Sequence, residues 1–151
     1  MTFDIRSITV SEVKADPNFP EIERRYTEES AQPGFDKGEV NWRVYEALEG
    51  MGNFKMAGVF VDDRLVGFTG VIFSRALHKS VPTATIDAIY ILPEYRKGGL
   101  GGRLMKAAGK IAKEEGAEQL LVSTPPNSKI ERLCDALKFR RLNTIYAYPL
   151  C

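Results

Sequence analysis

The stretch "LPEYRKGGLGGRLMKAAGKIA" runs from Leu92 to Ala112, and its reading decides the fold. A β-branched run, "TIDAIYIL", leads into it, and Pro93 ends that run. Leu100, Leu104, Ala108 and Ile111 then recur at helical spacing until Gly116. The junction between strand and helix holds Gly98, Gly99, Gly101 and Gly102. A helix start presents unpaired N–H groups and a partial positive charge, and anions bind there. Glycine lets the backbone come close to such an anion and take positive φ. Arg96 and Lys97 add charge at the mouth of the turn.

Two common phosphate motifs fail on particular residues. The dinucleotide pattern G-x-G-x-x-G fits Gly99 and Gly101 but meets Leu104 where its third glycine belongs. The P-loop requires Ser or Thr after Gly-Lys, and Gly109-Lys110 is followed by Ile111.

Outward from the junction, the pattern alternates only partly between β and α. "FDIRSITV" reads as an opening strand, and Phe19 to Ala31 as a helix with Phe19, Ile22 and Tyr26 on one stripe. "QPGFDKGE" breaks the chain at Pro33, Gly34 and Gly38. A second helix is expected with Val40, Val44, Leu48 and Met51 inward. "FKMAGVFV" and "RLVGFTGVIFS" form a hairpin about Asp62 and Asp63, and "SRALHKSVPTA" reads as a polar loop. "EQLLVST" is a buried-strand candidate ended by Pro125 and Pro126. Asn127 or Ser128 caps a last helix with Ile130, Leu133, Cys134 and Leu137 on one face, and "TIYAYPL" is expected to close the chain as a strand. The expected fold is one α/β (α+β) domain over residues 1–151, with a mixed, largely antiparallel sheet flanked by helices.

Composition narrows the function. In 151 residues, 21 Lys and Arg face 20 Asp and Glu, which gives no charge argument for nucleic acid. No apolar run is long enough to span a membrane, and no signal peptide is legible, so a cytoplasmic protein is expected. Two cysteines, Cys134 and Cys151, and one histidine, His78, do not supply a zinc cluster, so no metal is expected. A Cys-His nucleophile pair has no supporting motif.

The pattern Arg-x-x-Gly-x-Gly, met by Arg96, Gly99 and Gly101 after "IYILPEYR", resembles the acetyl-CoA signature of the GNAT superfamily of N-acetyltransferases. The order of elements resembles that family over nearly the whole chain, and "NSKIERLCDALKF" resembles its last helix. "NTIYAYPL" is similar to the ending of some phage and prophage members. The resemblance implies acetyl-CoA as co-substrate and transfer of acetyl to a primary amine by direct attack. It implies that Arg96, Lys97, Gly98, Gly99, Leu100, Gly101 and Gly102 hold the pyrophosphate of coenzyme A. The backbone of Ile89 and Ile91 is then expected to meet the pantetheine arm, and Asn127 to contact the cofactor. Asp87 matches a position where relatives carry a glutamate used as base. Equally, Asp87 reads as a satisfied polar group on a strand. Cys134 stands where many relatives place a tyrosine that protonates the leaving thiolate, and its place on the apolar stripe points to packing. The "LKF" that follows departs from the family's usual Gly before Phe.

The basic face of Arg103, Lys106, Lys110 and Lys113 reads as solvated surface, with Arg103 within reach of a phosphate. His78 lies in a loop near where acceptors approach in the family, and Trp42 and Tyr45 are either core or acceptor wall. The acceptor is a small-molecule or peptide amine, and a homodimer is left open. The rival reading is a non-catalytic acyl-CoA sensor or regulatory module.

Overall fold

A computed structural model describes residues 2–32, 34, 39–76 and 80–150. Pro33, Gly38, His78 and Cys151 lie outside the described residues. β1 (Phe3–Ile8) is followed by three helices: α1 (Val10–Ala15), α2 (Phe19–Ser30) and α3 (Trp42–Gly50). The hairpin β2 (Phe54–Val61) and β3 (Arg64–Ala76) leads to β4 (Val81–Ile91), a 3-10 turn at Pro93–Tyr95 and α4 (Leu100–Glu114). β5 (Gln119–Val122) and α5 (Lys129–Ala136) complete the order. The five strands stand in sequence order, β1-β2-β3-β4-β5. The first three pairings are antiparallel, and β4 pairs with β5 in parallel. The mixed, largely antiparallel sheet flanked by helices is the expected architecture.

Local chemistry sets most of these boundaries. Thr9 caps α1, and Glu12 returns the bond in a capping box, so six residues suffice for a helix the sequence pattern does not reveal. Asp62 and Asp63 both take positive φ, 48° and 64°, the geometry a two-residue hairpin turn requires. Ser128 caps α5 by accepting from the Glu131 N–H.

Four expectations are corrected. On α3, Val44 and Met51 are exposed, and the inward face is carried by Trp42, Tyr45 and Leu48. The loop read across "SRALHKSVPTA" is much shorter, because β3 runs to Ala76 and β4 starts at Val81, with Pro82 paired to Arg75. β5 is an edge strand of half-buried residues, not a fully buried one. The last strand does not form: residues 141–150 are exposed and carry no regular structure. A segment of strand-like composition needs a partner ladder to become a strand, and among the described residues this one pairs with none.

The core gathers in two clusters. One joins β1–β3 to α1 and α2, with Val59, Val66 and Ile22 at 0 % exposure. The other joins Val71, Ala84 and Ile86 to Met105, Ala108 and Ala112 of α4, and α5 packs its Ile130, Leu133, Cys134 and Leu137 against it. The apolar stripe read for α5 is therefore correct.

The departure at "LKF" has a structural cost. Lys138 holds φ at 64° just past α5, while the Phe139 N–H donates to the Cys134 carbonyl at 2.9 Å. That is the left-handed helix ending glycine normally occupies, and a side chain there costs about 1–2 kcal/mol. Lys138→Gly is expected to raise stability by about 1 kcal/mol in denaturant titration. An unchanged or lower midpoint would show that the lysine side chain contributes something glycine cannot.

Candidate functional site

The site begins with an irregularity in β4. Gly70 pairs with Ala88 and Val71 with Ile86, so Asp87 is an extra residue in the ladder, a β-bulge. A bulge breaks the alternation of faces. Ala84 and Ile86 belong to the cluster under α4 and α5, whereas Ala88 and Tyr90 pack into the other cluster. Asp87 and Ala88 consequently line the same cavity.

The bulge coincides with a parting of strands. β5 follows β4 only from Thr83↔Gln119 to Ile86↔Val122. Beyond Ile86, among the described residues, β4 has a partner on the β3 side alone. The Leu92 N–H bonds to the Val66 carbonyl at 2.9 Å. Alternation in an antiparallel ladder then places Tyr90 and Ala88 in the bonded pairs. The N–H and C=O groups of Ile89 and Ile91 therefore aim the other way, into the gap left by β5. The Ile91 carbonyl is already taken by Arg96 Nε at 2.7 Å.

The glycine turn closes the far end of this gap. Gly98 and Gly99 have φ of 61° and 72°, and a Cβ on either would meet open space. The Leu100 N–H returns to the Lys97 carbonyl at 3.2 Å and the Arg103 N–H to the Gly99 carbonyl at 3.1 Å. Between them, the N–H groups of Gly101 and Gly102 take no acceptor from outside the helix among the described residues. Leu133 of α5 lies 3.7 Å from the Cβ position of Gly101 and 3.8 Å from that of Gly102. Lys97 is exposed and makes no ion pair among the described residues. The turn is thus a concave, uncluttered helix start with available donors and an adjacent cation, which fits a diphosphate.

Arg96 plays a different part from Lys97. Its guanidinium pairs with both oxygens of Glu29, at 3.1 and 2.7 Å, and lies 5.0 Å from the Tyr90 ring centroid. Arg25 makes a second two-pronged pair with Glu94, at 2.8 and 2.9 Å. Two arginine forks therefore tie the end of α2 to the segment between β4 and the glycine turn. Arg96 holds the Glu29 carboxyl below its usual range. Arg103 is also engaged, stacked 4.4 Å from the Phe3 centroid. Asn127 is exposed at positive φ (62°) in the loop after β5, which borders the gap.

Asp87 accepts a 2.5 Å hydrogen bond from the Tyr45 hydroxyl. Burial and this bond together push the Tyr45 phenol well above its usual range, so it stays a donor. Tyr45 opens a chain of tilted and edge-on ring contacts that continues through Trp42, Phe19, Phe68 and Tyr26. Phe54 joins it at 4.9 Å from Tyr45. Its ring lies so close to Gly70 that a Cβ there would meet it at 2.8 Å. These rings enclose a cavity of about 160 Å³ with Asp87 and Glu23 on its wall. Trp42 and Tyr45, ambiguous in sequence, are cavity wall. The cavity itself was not legible, because its rings come from α2, α3, β2 and β3, far apart in the chain.

With this geometry in place, the comparison with known proteins is informative. The model of the acetyltransferase (GNAT) family matches residues 17–139. The chain belongs to the GNAT acetyltransferase family. No curated protein sequence matches it. Among solved structures, it is similar to the ribosomal-protein-alanine N-acetyltransferase from Brucella melitensis biovar Abortus 2308, with 17 % identity, 98 % of this chain and 99 % of that chain covered, and a TM-score of 0.73. It is also similar to AAC(6')-Iy bound to a bisubstrate analog, CoA-S-monomethyl-acetylneamine (18 %, 98 % and 97 %, TM-score 0.72). An aminoglycoside acetyltransferase from an uncultured soil metagenomic sample matches at 13 % identity over the whole of both chains, with a TM-score of 0.76. At such identities these likenesses establish the fold of this GNAT chain and nothing finer. Among the described residues no helix is long and apolar enough to cross a membrane, and no group of three potential metal ligands occurs.

Cys134 lies half-buried in the α5 stripe, and burial, then Asp135 and Glu131, push its thiol up. Cys134→Ala is expected to cost about 1 kcal/mol of stability and to leave turnover near normal. A large rate loss without a melting change would make the thiol the proton donor instead.

Proposed function

We propose that this GNAT chain is an N-acetyltransferase that uses acetyl-CoA and acts on a primary amine. The observation that carries this reading is the coincidence of the β4 bulge, the open edge at Ile89 and Ile91, and the glycine turn along one gap. When bound, acetyl-CoA supplies the acetyl group as a thioester.

The chain's own contributions follow from the geometry. The N–H groups of Gly98, Gly99, Gly101 and Gly102 offer donors to the diphosphate, with Leu100 anchoring the helix start in the core and Lys97 adding charge. Arg96 contributes by holding the turn against Glu29 and the Ile91 carbonyl. The backbone of Ile89 and the N–H of Ile91 would offer fixed dipoles to the pantetheine arm and the thioester carbonyl, the kind of preorganised stabilisation acyl transfer requires. Asn127, exposed in the loop after β5, would contact the cofactor there, as the family resemblance implies. Asp87 holds the amine and takes its proton, directly or through water, while Tyr45 fixes the carboxylate's orientation.

The other reading, an acyl-CoA sensor without turnover, is favoured by the sequence resemblance, which puts Cys134 where many relatives carry the acid tyrosine. Two measurements separate the readings. Calorimetric titration with coenzyme A tests binding, and thiol release across a panel of amines tests transfer. Binding with no release from any amine would favour the sensor.

A further inference from the structure

We propose that the acceptor is a small monoamine carrying an aromatic or apolar body, not a polyhydroxylated polyamine such as an aminoglycoside. This rests on the N-acetyltransferase reading and concerns the cavity beside Asp87. Its volume, about 160 Å³, is below the roughly 300–1,000 Å³ of sites for drug-sized ligands. Its walls are the rings of Phe19, Tyr26, Trp42, Tyr45, Phe54 and Phe68. Ring faces and edges reward a flat apolar group, and the faces also attract a cation, but both offer little to the many hydroxyls of a sugar. An unpaired buried hydroxyl costs about 1–3 kcal/mol, so each hydroxyl carried in among the rings is penalised.

Charge places the amine. Asp87 and Glu23 are the carboxylates on the wall. One oxygen of Asp87 accepts from Tyr45, which leaves the other to an ammonium. The apolar body then lies among Trp42, Phe68 and Phe19, whose mutual ring contacts at 5.6 Å hold them in place.

Trp42 is the chain's single tryptophan, so the site carries its own reporter. Titrating the protein with 2-phenylethylamine and with kanamycin, and following tryptophan fluorescence, reads binding without any turnover. 2-Phenylethylamine is expected to change the emission and to bind at least tenfold more tightly than kanamycin. Asp87→Asn and Glu23→Gln should each weaken it, with coenzyme A affinity kept. Equal or tighter binding of kanamycin, or no response to 2-phenylethylamine, would overturn the proposal. Thiol release measured on the same samples judges the transferase reading separately: amine binding without release keeps the ligand class assigned to the cavity and counts against transfer.

A second observation stands apart from the site. The segment 142–150 exposes Leu142, Ile145, Tyr146, Tyr148 and Leu150 at 58–93 %. Tyr146, Tyr148 and Leu150 alternate at strand spacing. β5 is an edge with an unpaired side, and α5 and Phe139, from which the segment departs, pack beside Leu120 and Val122 of β5. Arg141 fixes the departure point by pairing with Glu131 at 3.1 Å and Asp135 at 3.0 Å. We infer that the segment adds as a strand to the β5 edge of a second copy of this chain, and the exchange is reciprocal. One association thereby covers both the exposed apolar residues and the open edge, and Pro149 suits the outer strand it creates.

Light scattering during size exclusion tests this. The wild-type chain should be a dimer, and a Tyr146→Asp, Tyr148→Asp variant a monomer that still binds coenzyme A. Amides of residues 119–122 should exchange faster in the variant. A monomeric wild-type chain, or a variant that remains a dimer, would overturn the exchange.

Discussion

Asp87→Asn is expected to lower turnover about 10²-fold, in line with the usual contribution of a general base. An alkylamine is largely protonated near neutrality, and an ammonium has no lone pair with which to attack a thioester. Asp87 is placed to relieve this because the bulge turns it to the cavity beside Ala88 and Tyr45 holds one of its oxygens. Asparagine keeps the shape and the Tyr45 contact but removes the charge. Coenzyme A affinity should hardly change, since the glycine turn lies at the other end of the exposed β4 edge. Raising the pH should partly restore the variant, because free amine then forms without help. The check is a pH–rate series on both proteins with one acceptor. Equal rates near neutrality would take Asp87 out of the proton transfer and leave water in its place.

Gly99→Asp should weaken coenzyme A at least tenfold, equivalent to about 1.4 kcal/mol. The residue sits at φ 72° at the start of α4, with open space where its side chain would go. Aspartate tolerates this backbone better than most residues, so the fold should survive. Its carboxylate would then stand where the diphosphate is expected, cancelling the attraction of the helix start. Calorimetry on a folded variant decides the matter, and unchanged affinity would end the phosphate-cradle reading.

Much of this architecture is legible in the sequence because local signals are strong where the site is built. The glycines between a β-branched run and a helical stripe mark the turn, and Pro93 and Gly116 mark its limits. Other features depend on distant partners. The bulge at Asp87 arises from the register against Gly70 and Val71, which no local pattern in β4 encodes. α1 is short and held by one capping box, so periodicity is too brief to show it. The pairing of Arg96 with Glu29 is not legible in sequence, because that carboxylate lies in another element. "TIYAYPL" has the composition of a strand, but ladder bonds come from a neighbour, and among the described residues it pairs with none.

On the proposed reading, the glycine turn, the open β4 edge and the Asp87 cavity act together to move an acetyl group from coenzyme A to an amine. The most direct test incubates the purified chain with acetyl-CoA and 2-phenylethylamine and follows free thiol, together with the mass of the amine. The account predicts thiol release that requires the amine, matched by one acetyl group gained per amine, and lost in Gly99→Asp at limiting acetyl-CoA. Absence of release, with this amine and across a wider panel, would contradict it, whether or not coenzyme A binds.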